Sequence, residues 1–186
     1  MIRKSPIFLQ LLDKLVSDGA PRSSIDILEF PKKRLLIEQG KNIRNVLVIR
    51  SGVVKCYIAE DNGKEYILEF LGEGEILGEI EVIRKTPGMA TVASLTSVSV
   101  FKIDKSFFLQ LLKTDAAFNQ ALLELMATRL VNTAMRASRQ QLYTLSYNLS
   151  QLTKILQEGQ IAFTKNDLSD YLGISKRSLN RLLKGE

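Results

Sequence analysis

The polar side chains with the clearest chemistry stand near the end of the chain, on one side of a predicted short helix. They are Lys176, Arg177, Asn180 and Arg181, and Ser175 precedes them at a predicted turn. A guanidinium group can donate two parallel hydrogen bonds to the edge of guanine, and a hydroxyl at the turn can bond a phosphate. The one-sided charge therefore predicts contact with DNA. The alternative interpretation is a helical hairpin whose charged face is simply solvated.

Two short helices around a tight turn are predicted to hold these side chains. Thr164 can cap the first helix, and Asp167 suits its first turn. Gly173 fits the left-handed position that ends a helix, and Ser175 can cap the next one. We expect the apolar side chains of both helices to face inward, namely Leu168, Tyr171, Leu172, Leu179, Leu182 and Leu183. The pattern is that of a helix-turn-helix, whose second helix can lie in the major groove.

The composition is that of an ordinary soluble globular protein of one or two domains. The chain has 186 residues, of which 45% are hydrophobic and 25% charged, and its net charge of +6 suits a polyanionic partner. No apolar run approaches the roughly 20 residues that span a membrane, and the apolar patch at 7–9 is too short for a secretory signal. We therefore expect a cytoplasmic protein without a membrane partner.

Cysteine and histidine usage excludes several kinds of chemistry. The chain has one cysteine, Cys56, and no histidine. An internal disulfide, a four-cysteine iron–sulfur cluster, histidine-ligated haem, a histidine zinc site and histidine-based catalysis all lack their residues. We expect no metal site and no catalytic residue. Cys56 lies in a predicted strand, where a buried structural thiol is favoured over a redox sensor.

The first two thirds of the chain predict a helix followed by many short strands. Residues 1–30 have helical spacing and then a predicted loop, which begins at the breakers Gly19, Pro21 and Ser23. Short strands divided by glycine turns follow at 35–37, 46–49, 53–59, 66–71, 89–95 and 98–103. The pair Asn62-Gly63 is a strong hairpin signal. Strands of this length and spacing favour a β-roll or jelly-roll barrel, and an α+β protein as a whole.

From Lys105 onward the pattern is helical. A short helix precedes a long one that begins at Asp115, and a small, polar stretch at 137–140 predicts a hinge. The next helix, at 142–157, is expected to cover the helix-turn-helix with Leu145, Leu149, Leu152, Ile155 and Leu156. The long helix suits pairing with a second copy, coiled-coil fashion, and the alternative is packing on its own barrel. We expect a sensor domain at 1–112, a dimerisation helix at 113–138 and a DNA-binding domain at 139–186.

This order of elements, with two motifs, resembles the Crp–Fnr family of bacterial transcription factors. Residues 71–79 read Leu-Gly-Glu-Gly-Glu-Ile-Leu-Gly-Glu, which is similar to the glycine-rich turn of the family's roll. Residues 172–184 read Leu-Gly-Ile-Ser-Lys-Arg-Ser-Leu-Asn-Arg-Leu-Leu-Lys and match its turn and recognition helix without gaps. The resemblance implies a homodimeric regulator that binds double-stranded DNA, with RNA polymerase as a further partner.

The resemblance also assigns roles to residues of the predicted head. Ser175, Lys176, Arg177 and Arg181 take the positions that touch phosphates and base edges, and with Thr164 and Asn180 they form the predicted DNA-binding set. Arg177 stands where the best-known members carry an acidic residue. The operator preference of those members therefore does not transfer to this chain.

The effector site departs from the cyclic-nucleotide-binding pattern of the family. Gly78 and Glu79 are present, but the run that should carry an arginine and a hydroxyl reads Pro-Gly-Met-Ala at 87–90. A buried phosphate without a cation costs several kcal/mol. We expect an effector other than cAMP, or none, with Gly78, Glu79, Met89, Ala90 and Thr133 as the candidate contacts. Thr133 matches a position that contacts the base of the cyclic nucleotide in the family. Its neighbour Ala134 lacks the hydroxyl that the family has there.

Family members continue past the recognition helix into a two-stranded wing, and this sequence stops at residue 186. Either the remainder of the head lies beyond this sequence, or the head is truncated and lacks a wing. A second hypothesis follows, in which the chain is a ligand-binding or scaffold module with an inactive head. A third, a metal-dependent enzyme on a jelly-roll barrel, is nearly eliminated because imidazole is the usual ligand there.

Overall fold

The middle of the chain forms two four-stranded antiparallel sheets that enclose a core. The computed structural model describes residues 2–158 and 163–184, with residues 155–158 described in backbone only. The strands are β1 (Ile25–Phe30), β2 (Leu35–Ile37), β3 (Asn45–Ser51), β4 (Val54–Ala59), β5 (Glu65–Leu71), β6 (Ile76–Leu77), β7 (Thr91–Ser94) and β8 (Val98–Asp104). One sheet has the order β1-β8-β3-β6 and the other β2-β7-β4-β5. The predicted β-roll is confirmed.

The strand β1 was not predicted, because the sequence indicated a loop there. Its residues pair antiparallel with β8, from Ile25 opposite Ile103 to Phe30 opposite Val98. The local breakers Gly19, Pro21 and Ser23 carry no information about a partner more than 70 residues away, which supplies the hydrogen bonds. The prediction of a loop was wrong for this reason.

The helices are α1 (Pro6–Ser17), α2 (Glu79–Arg84), α3 (Lys105–Thr114), α4 (Ala116–Leu142), α5 (Leu145–Glu158), α6 (Lys165–Leu172) and α7 (Lys176–Lys184). Three of them, α1, α3 and α4, cover the outer face of the first sheet. The ring of Phe118 in α4 meets Phe8 of α1 and Phe108 of α3 edge-on, with centroids 5.4 and 5.9 Å apart. Burying these rings ties the start of the long helix to the roll.

The long helix α4 runs without a break to Leu142, so the predicted hinge at 137–140 is wrong. The small, polar residues there include alanine, arginine and glutamine, which are good helix formers, and neither glycine nor proline interrupts them. The break falls at Tyr143, whose backbone is extended.

The helix α5 begins three residues later than predicted, at Leu145. Leu149 and Leu152 are buried as predicted, whereas Leu145 is 43% exposed because it starts the helix. The side chains of Ile155 and Leu156 lie outside the described residues, as does the chain end at 185–186. None of the described helices combines the length and the apolar character needed to cross a membrane.

Candidate functional site

The helix-turn-helix, formed by α6 and α7 and called the head below, is closed by the local hydrogen bonds that the sequence predicts. The Thr164 hydroxyl accepts from the backbone N–H of Asp167 at 3.1 Å, and the Asp167 carboxylate accepts from the backbone N–H of Thr164 at 3.0 Å. This capping box starts α6. Gly173 ends α6 at φ 68°, and the Ser175 hydroxyl accepts from Ser178 N–H at 3.1 Å to start α7. The predicted caps are confirmed.

The cations of α7 face solvent. Lys176, Arg177 and Arg181 are exposed, while Leu179 on the other side of the helix is fully buried. Asn180 is exposed as well, and its side-chain oxygen accepts from the Lys165 ammonium at 2.9 Å.

One apolar prediction fails on this helix. Leu183 was expected to face inward but is 47% exposed, because it stands in the last turn of α7 and none of the described elements covers it. The first turns of α7 therefore have an apolar and a cationic side, whereas the last turn has no buried leucine.

The head packs on the roll through α6 and strand β5. The ring of Phe70 in β5 stacks on Tyr171 at 5.2 Å and meets Phe163 edge-on at 4.6 Å. Lys55 of β4 and Asp167 form an ion pair of 2.9 Å. Burial opposes ionisation of this carboxyl, but hydrogen bonds from Lys55 and Thr164 outweigh it and hold the pKa of Asp167 below its usual value. The contact surface belongs to α6, so α7 stays uncovered.

Arg136 of α4 joins the long helix, the roll and the head. Its guanidinium donates to the carbonyl oxygens of Ile67 at 2.9 Å and Tyr171 at 3.0 Å, and also to that of Leu68. It stacks on the Tyr171 ring, 4.0 Å from the centroid. Sequence analysis missed this role because nothing local to residue 136 indicates a partner on another element.

A second buried arginine lies on the same face of α4, in a group of three charged side chains that we call the roll cluster: Glu75, Glu79 and Arg129. The guanidinium of Arg129 pairs with both carboxylates, each only 2% exposed, and donates to the carbonyl oxygen of Ile76 at 2.7 Å. Burial raises the pKa of Glu79 although Arg129 works against that shift. With all three groups ionised the cluster has a net charge of −1.

The comparisons with known proteins match this arrangement. Residues 27–115, from β1 to the end of α3, match the cyclic nucleotide-binding domain. The cAMP-activated global transcriptional regulator CRP of Salmonella typhimurium is 26% identical over 173 residues, which cover 87% of this chain and 82% of that protein.

Solved structures share the fold. A protein described as a transcriptional regulator of the Crp/Fnr family from Eubacterium rectale superimposes with a TM-score of 0.79 at 19% identity, covering 97% of this chain and 87% of that one. The c-di-GMP-responsive global regulator CLP of Xanthomonas campestris has a TM-score of 0.76 at 20% identity, with 88% and 86% covered. Over most of its length the chain is therefore similar to transcriptional regulators of the Crp–Fnr family. Its relatives regulate transcription and are not enzymes.

The predicted effector residues have different environments in the structure. Gly78, with φ 82°, begins α2, and Glu79 follows it into the roll cluster. Met89 is 52% exposed and its backbone N–H donates to the carboxylate of Glu81 at 3.0 Å, while Ala90 is buried. Thr133 is exposed on α4, one turn past Arg129. No hydrogen bond among the described residues joins the side chain of Glu79 to Met89 or Thr133.

The segment at 87–90 has a backbone reason for lacking an arginine. Gly88 is bonded through its N–H to Lys41 O and through its carbonyl to Gly40 N–H, both at 2.8 Å. A Cβ at this position would lie 2.7 Å from the carbonyl oxygen of Glu38. A larger side chain therefore requires the backbone to shift. The roll cluster has the guanidinium of Arg129 instead. Sequence analysis did not assign this residue to the site.

Cys56 is partly buried in β4 of the roll. Burial raises the pKa of its thiol to about 12, so that it stays protonated at neutral pH. A thiol in this state is a poor nucleophile, which favours a structural role over redox sensing.

Proposed function

We propose that this protein is a homodimeric, sequence-specific DNA-binding transcriptional regulator. Its roll binds a small molecule other than cAMP, or none. The observation that carries the proposal is the exposed cationic side of α7 on a helix-turn-helix whose two helices are both capped. Such a regulator works beside the chromosome and RNA polymerase, which places it in the cytoplasm.

Reading of DNA is assigned to the exposed polar residues of the head. Lys176, Arg177 and Arg181 have the charge and reach for base edges and phosphates, and Ser175 stands at the turn. Thr164 lies at the start of α6, and Asn180 lies on the exposed side of α7. The capping box and the buried Leu179 give this surface a rigid support.

Dimerisation is assigned to an exposed stripe on α4 that we call the seam: Leu123, Ala127, Leu130, Ala134, Ala137 and Gln141. These positions alternate by four and three residues, which is the spacing of a coiled-coil interface. Leu130 is 73% exposed and Leu123 57% exposed in the protomer. The opposite face of the helix is buried on the roll at Phe118, Leu122 and Leu125. Pairing of two copies would cover the seam.

The charge of the roll cluster argues against cAMP. A cyclic phosphate is an anion, and the roll cluster, which contains the candidate contact Glu79, already has two carboxylates around one guanidinium. Binding a phosphate there adds negative charge to a buried net −1 site, which is unfavourable. We infer that the effector of the roll, if one exists, is not a cyclic nucleotide.

Selection of bound sequences from random duplex DNA tests the reading head. Arg177→Ala should relax discrimination at one operator position by about 1–3 kcal/mol, because one bidentate base contact is lost. Arg22→Ala, an exposed arginine outside the head, should leave the selected motif unchanged. An Arg177→Ala protein that selects the wild-type motif with equal stringency contradicts the assignment.

The salt dependence of DNA binding distinguishes the proposed regulator from a module with an inactive head. A regulator releases counterions from DNA, so its affinity should fall steeply between low and moderate salt. A scaffold module with an inactive head should not bind duplex DNA even at low salt. Fluorescence anisotropy with a labelled duplex measures both outcomes.

A further inference from the structure

A cavity of about 440 Å³ lies where α4, α5, α6 and β5 meet, and we call it the junction cavity. Its volume is within the range of pockets that bind small molecules, about 300–1,000 Å³. It is separate from the roll cluster, none of whose residues lines it. The residues that bear on its chemistry are Arg3, Glu69, Arg136, Arg139, Tyr143 and Tyr147.

The wall of the junction cavity is positively charged. Three arginines stand against a single carboxylate, Glu69, which is paired with Arg3 at 2.7 Å. The described hydrogen bonds of Arg136 all go to neutral oxygens, so its charge is not neutralised by a carboxylate among the described residues. Arg139 is exposed. The wall therefore has a net charge of +2, opposite in sign to the roll cluster.

Two of these arginines carry buried donors without acceptors. The Nε and Nη1 groups of Arg3 and the Nε group of Arg136 have no hydrogen-bond partner among the described residues. The Arg3 side chain is only 11% exposed. Buried polar groups normally have partners, and an unmade bond to a charged group is costly. These donors are shielded from the cavity itself, and they leave the positive charge of this part of the wall without hydrogen-bonded acceptors.

Two tyrosines give the cavity an aromatic side. Tyr143 and Tyr147 stack on each other across the break between α4 and α5, with centroids 4.5 Å apart and planes 20° apart. Both remain partly exposed, at 49% and 41%. A planar ring of a ligand can extend this stack, which adds affinity and orientation to the charge.

The seam does not compete for this cavity. Asn132, Arg136 and Arg139 each follow a seam residue by two positions, which turns them about 200° around the helix axis. They point away from the stripe that a second copy would cover. The cavity thus remains open to a ligand whether or not the protein pairs through α4.

We propose that the junction cavity binds a small aromatic oxyanion. Its anionic group lies among the guanidinium groups of Arg3, Arg136 and Arg139, and its ring packs against the Tyr143–Tyr147 stack. The cavity is lined by the roll at Glu69 and by the head at Tyr171 and Leu172, so occupancy stabilises the docked arrangement of the two. This regulatory consequence rests on the proposed function as a DNA-binding protein, whereas ligand binding does not.

Phenyl phosphate is the probe, titrated into the full chain at constant ionic strength without DNA and followed by NMR of the arginine Nε–H signals. We expect saturable binding with a millimolar Kd, weaker binding of inorganic phosphate, and no saturable binding of phenol at the same concentrations. Arg139→Gln should weaken phenyl phosphate about tenfold, because a charge-assisted contact is lost from an exposed residue whose removal leaves the fold intact. Tyr147→Ala should weaken phenyl phosphate but not inorganic phosphate.

The double variant Arg177→Gln/Arg181→Gln is the control, since it removes the anion-binding residues of the head. It should bind phenyl phosphate as the wild type does. Loss of binding in this variant, equal binding by Arg139→Gln, or no saturable binding in the millimolar range would each overturn the proposal. DNA affinity with and without the probe is measured separately, so failure of the DNA-binding proposal is not confused with failure of this one.

Discussion

Two buried arginines on α4 determine how the roll and the head meet the long helix. Arg129 and Arg136 are seven residues apart and therefore lie on the same face. Arg129 pairs with Glu75 and Glu79, whereas Arg136 donates to the carbonyl oxygens of a strand and of α6. The first contact is ionic and the second depends on neutral acceptors. Their removal should consequently have different pH dependences.

Replacement of Arg129 by Gln should lower the free energy of unfolding by about 3–5 kcal/mol at neutral pH, because two buried carboxylates lose their cation. Burial already raises the pKa of Glu79, and loss of the guanidinium raises it further. A raised pKa means that the folded state takes up protons more readily than the unfolded state as the pH falls. The deficit should therefore shrink as the pH falls through the raised folded-state pKa of Glu79.

Urea denaturation of wild type and variant at several pH values measures this deficit. Arg84→Gln, an exposed arginine on α2, is the matched control and should change stability little. A deficit for Arg129→Gln that is the same at every pH would mean that the carboxylates do not cause it.

The helix α6 has two tasks, since it supports α7 and also docks the head on the roll. Asp167 serves both, because it closes the capping box and pairs with Lys55 of β4. Replacing Asp167 would therefore mix two effects. Replacing Lys55 removes the contact between the elements and leaves the capping box in place.

Lys55→Met should loosen the docking of α6 while leaving its cap in place. The ion pair is partly buried, with side chains 18% and 6% exposed, and we expect about 1–2 kcal/mol less protection of the amides of α6. Hydrogen exchange of those amides measures the change. Lys64→Met, on the exposed turn between β4 and β5, should leave the exchange rates unchanged. Equal protection in both variants would argue that the aromatic contacts of Phe70 alone hold the head.

The Lys55–Asp167 contact also predicts that the protein loses stability in acid. The pKa of Asp167 is held below its usual value, so the stability gained from its ionisation is present at neutral pH. It is lost as the pH falls through the folded-state pKa of this carboxyl.

The seam of α4 is tested by a charge at its centre. Leu130→Glu should convert the proposed dimer to a monomer, because it places two carboxylates opposite each other in an apolar interface. Sedimentation velocity measures the change. Thr128 is exposed on the same helix, two residues from Leu130 and outside the seam. Thr128→Glu should therefore leave the dimer intact. If Leu130→Glu sediments as the wild type does, the copies do not pair through the seam.

The molecule as a whole combines an ordered roll, a long helix and a head in a single protomer. Contacts from Arg136, Phe70 and Lys55 join these parts, while the cations of α7 and the seam remain exposed. Pairing through α4 would present two reading helices at once. The distance between them is then a property of the dimer and not of either head.

A dimer of this kind predicts a spacing rule for its operator. Two half-sites about 10 base pairs apart should bind far more tightly than half-sites offset by a further ~5 base pairs, which turns the second one to the opposite face of DNA. Anisotropy titrations with the two duplexes measure the difference. The Leu130→Glu variant should show no preference between them. Equal affinity of the wild-type protein for both spacings would contradict reading by a paired head.

The sequence by itself determined the features that depend on neighbouring residues. The caps at Thr164 and Ser175 and the left-handed Gly173 use bonds between groups a few residues apart, so residue type and spacing predict them. The alternation of short strands and glycine turns likewise predicted the roll, and two motifs with their order indicated the resemblance to the Crp–Fnr family.

Only the tertiary structure decided which distant groups meet. Arg129 lies 50 residues from Glu79, and Lys55 lies 112 residues from Asp167. The edge strand β1 and the positively charged junction cavity also depend on such pairings. Local patterns predict these contacts poorly, because an isolated arginine or lysine on a helix or strand is equally compatible with solvent. Burial supplies the physical reason for the pairs, since a charge removed from water needs an opposite charge or hydrogen-bonding partners, and the fold alone determines which groups are close enough.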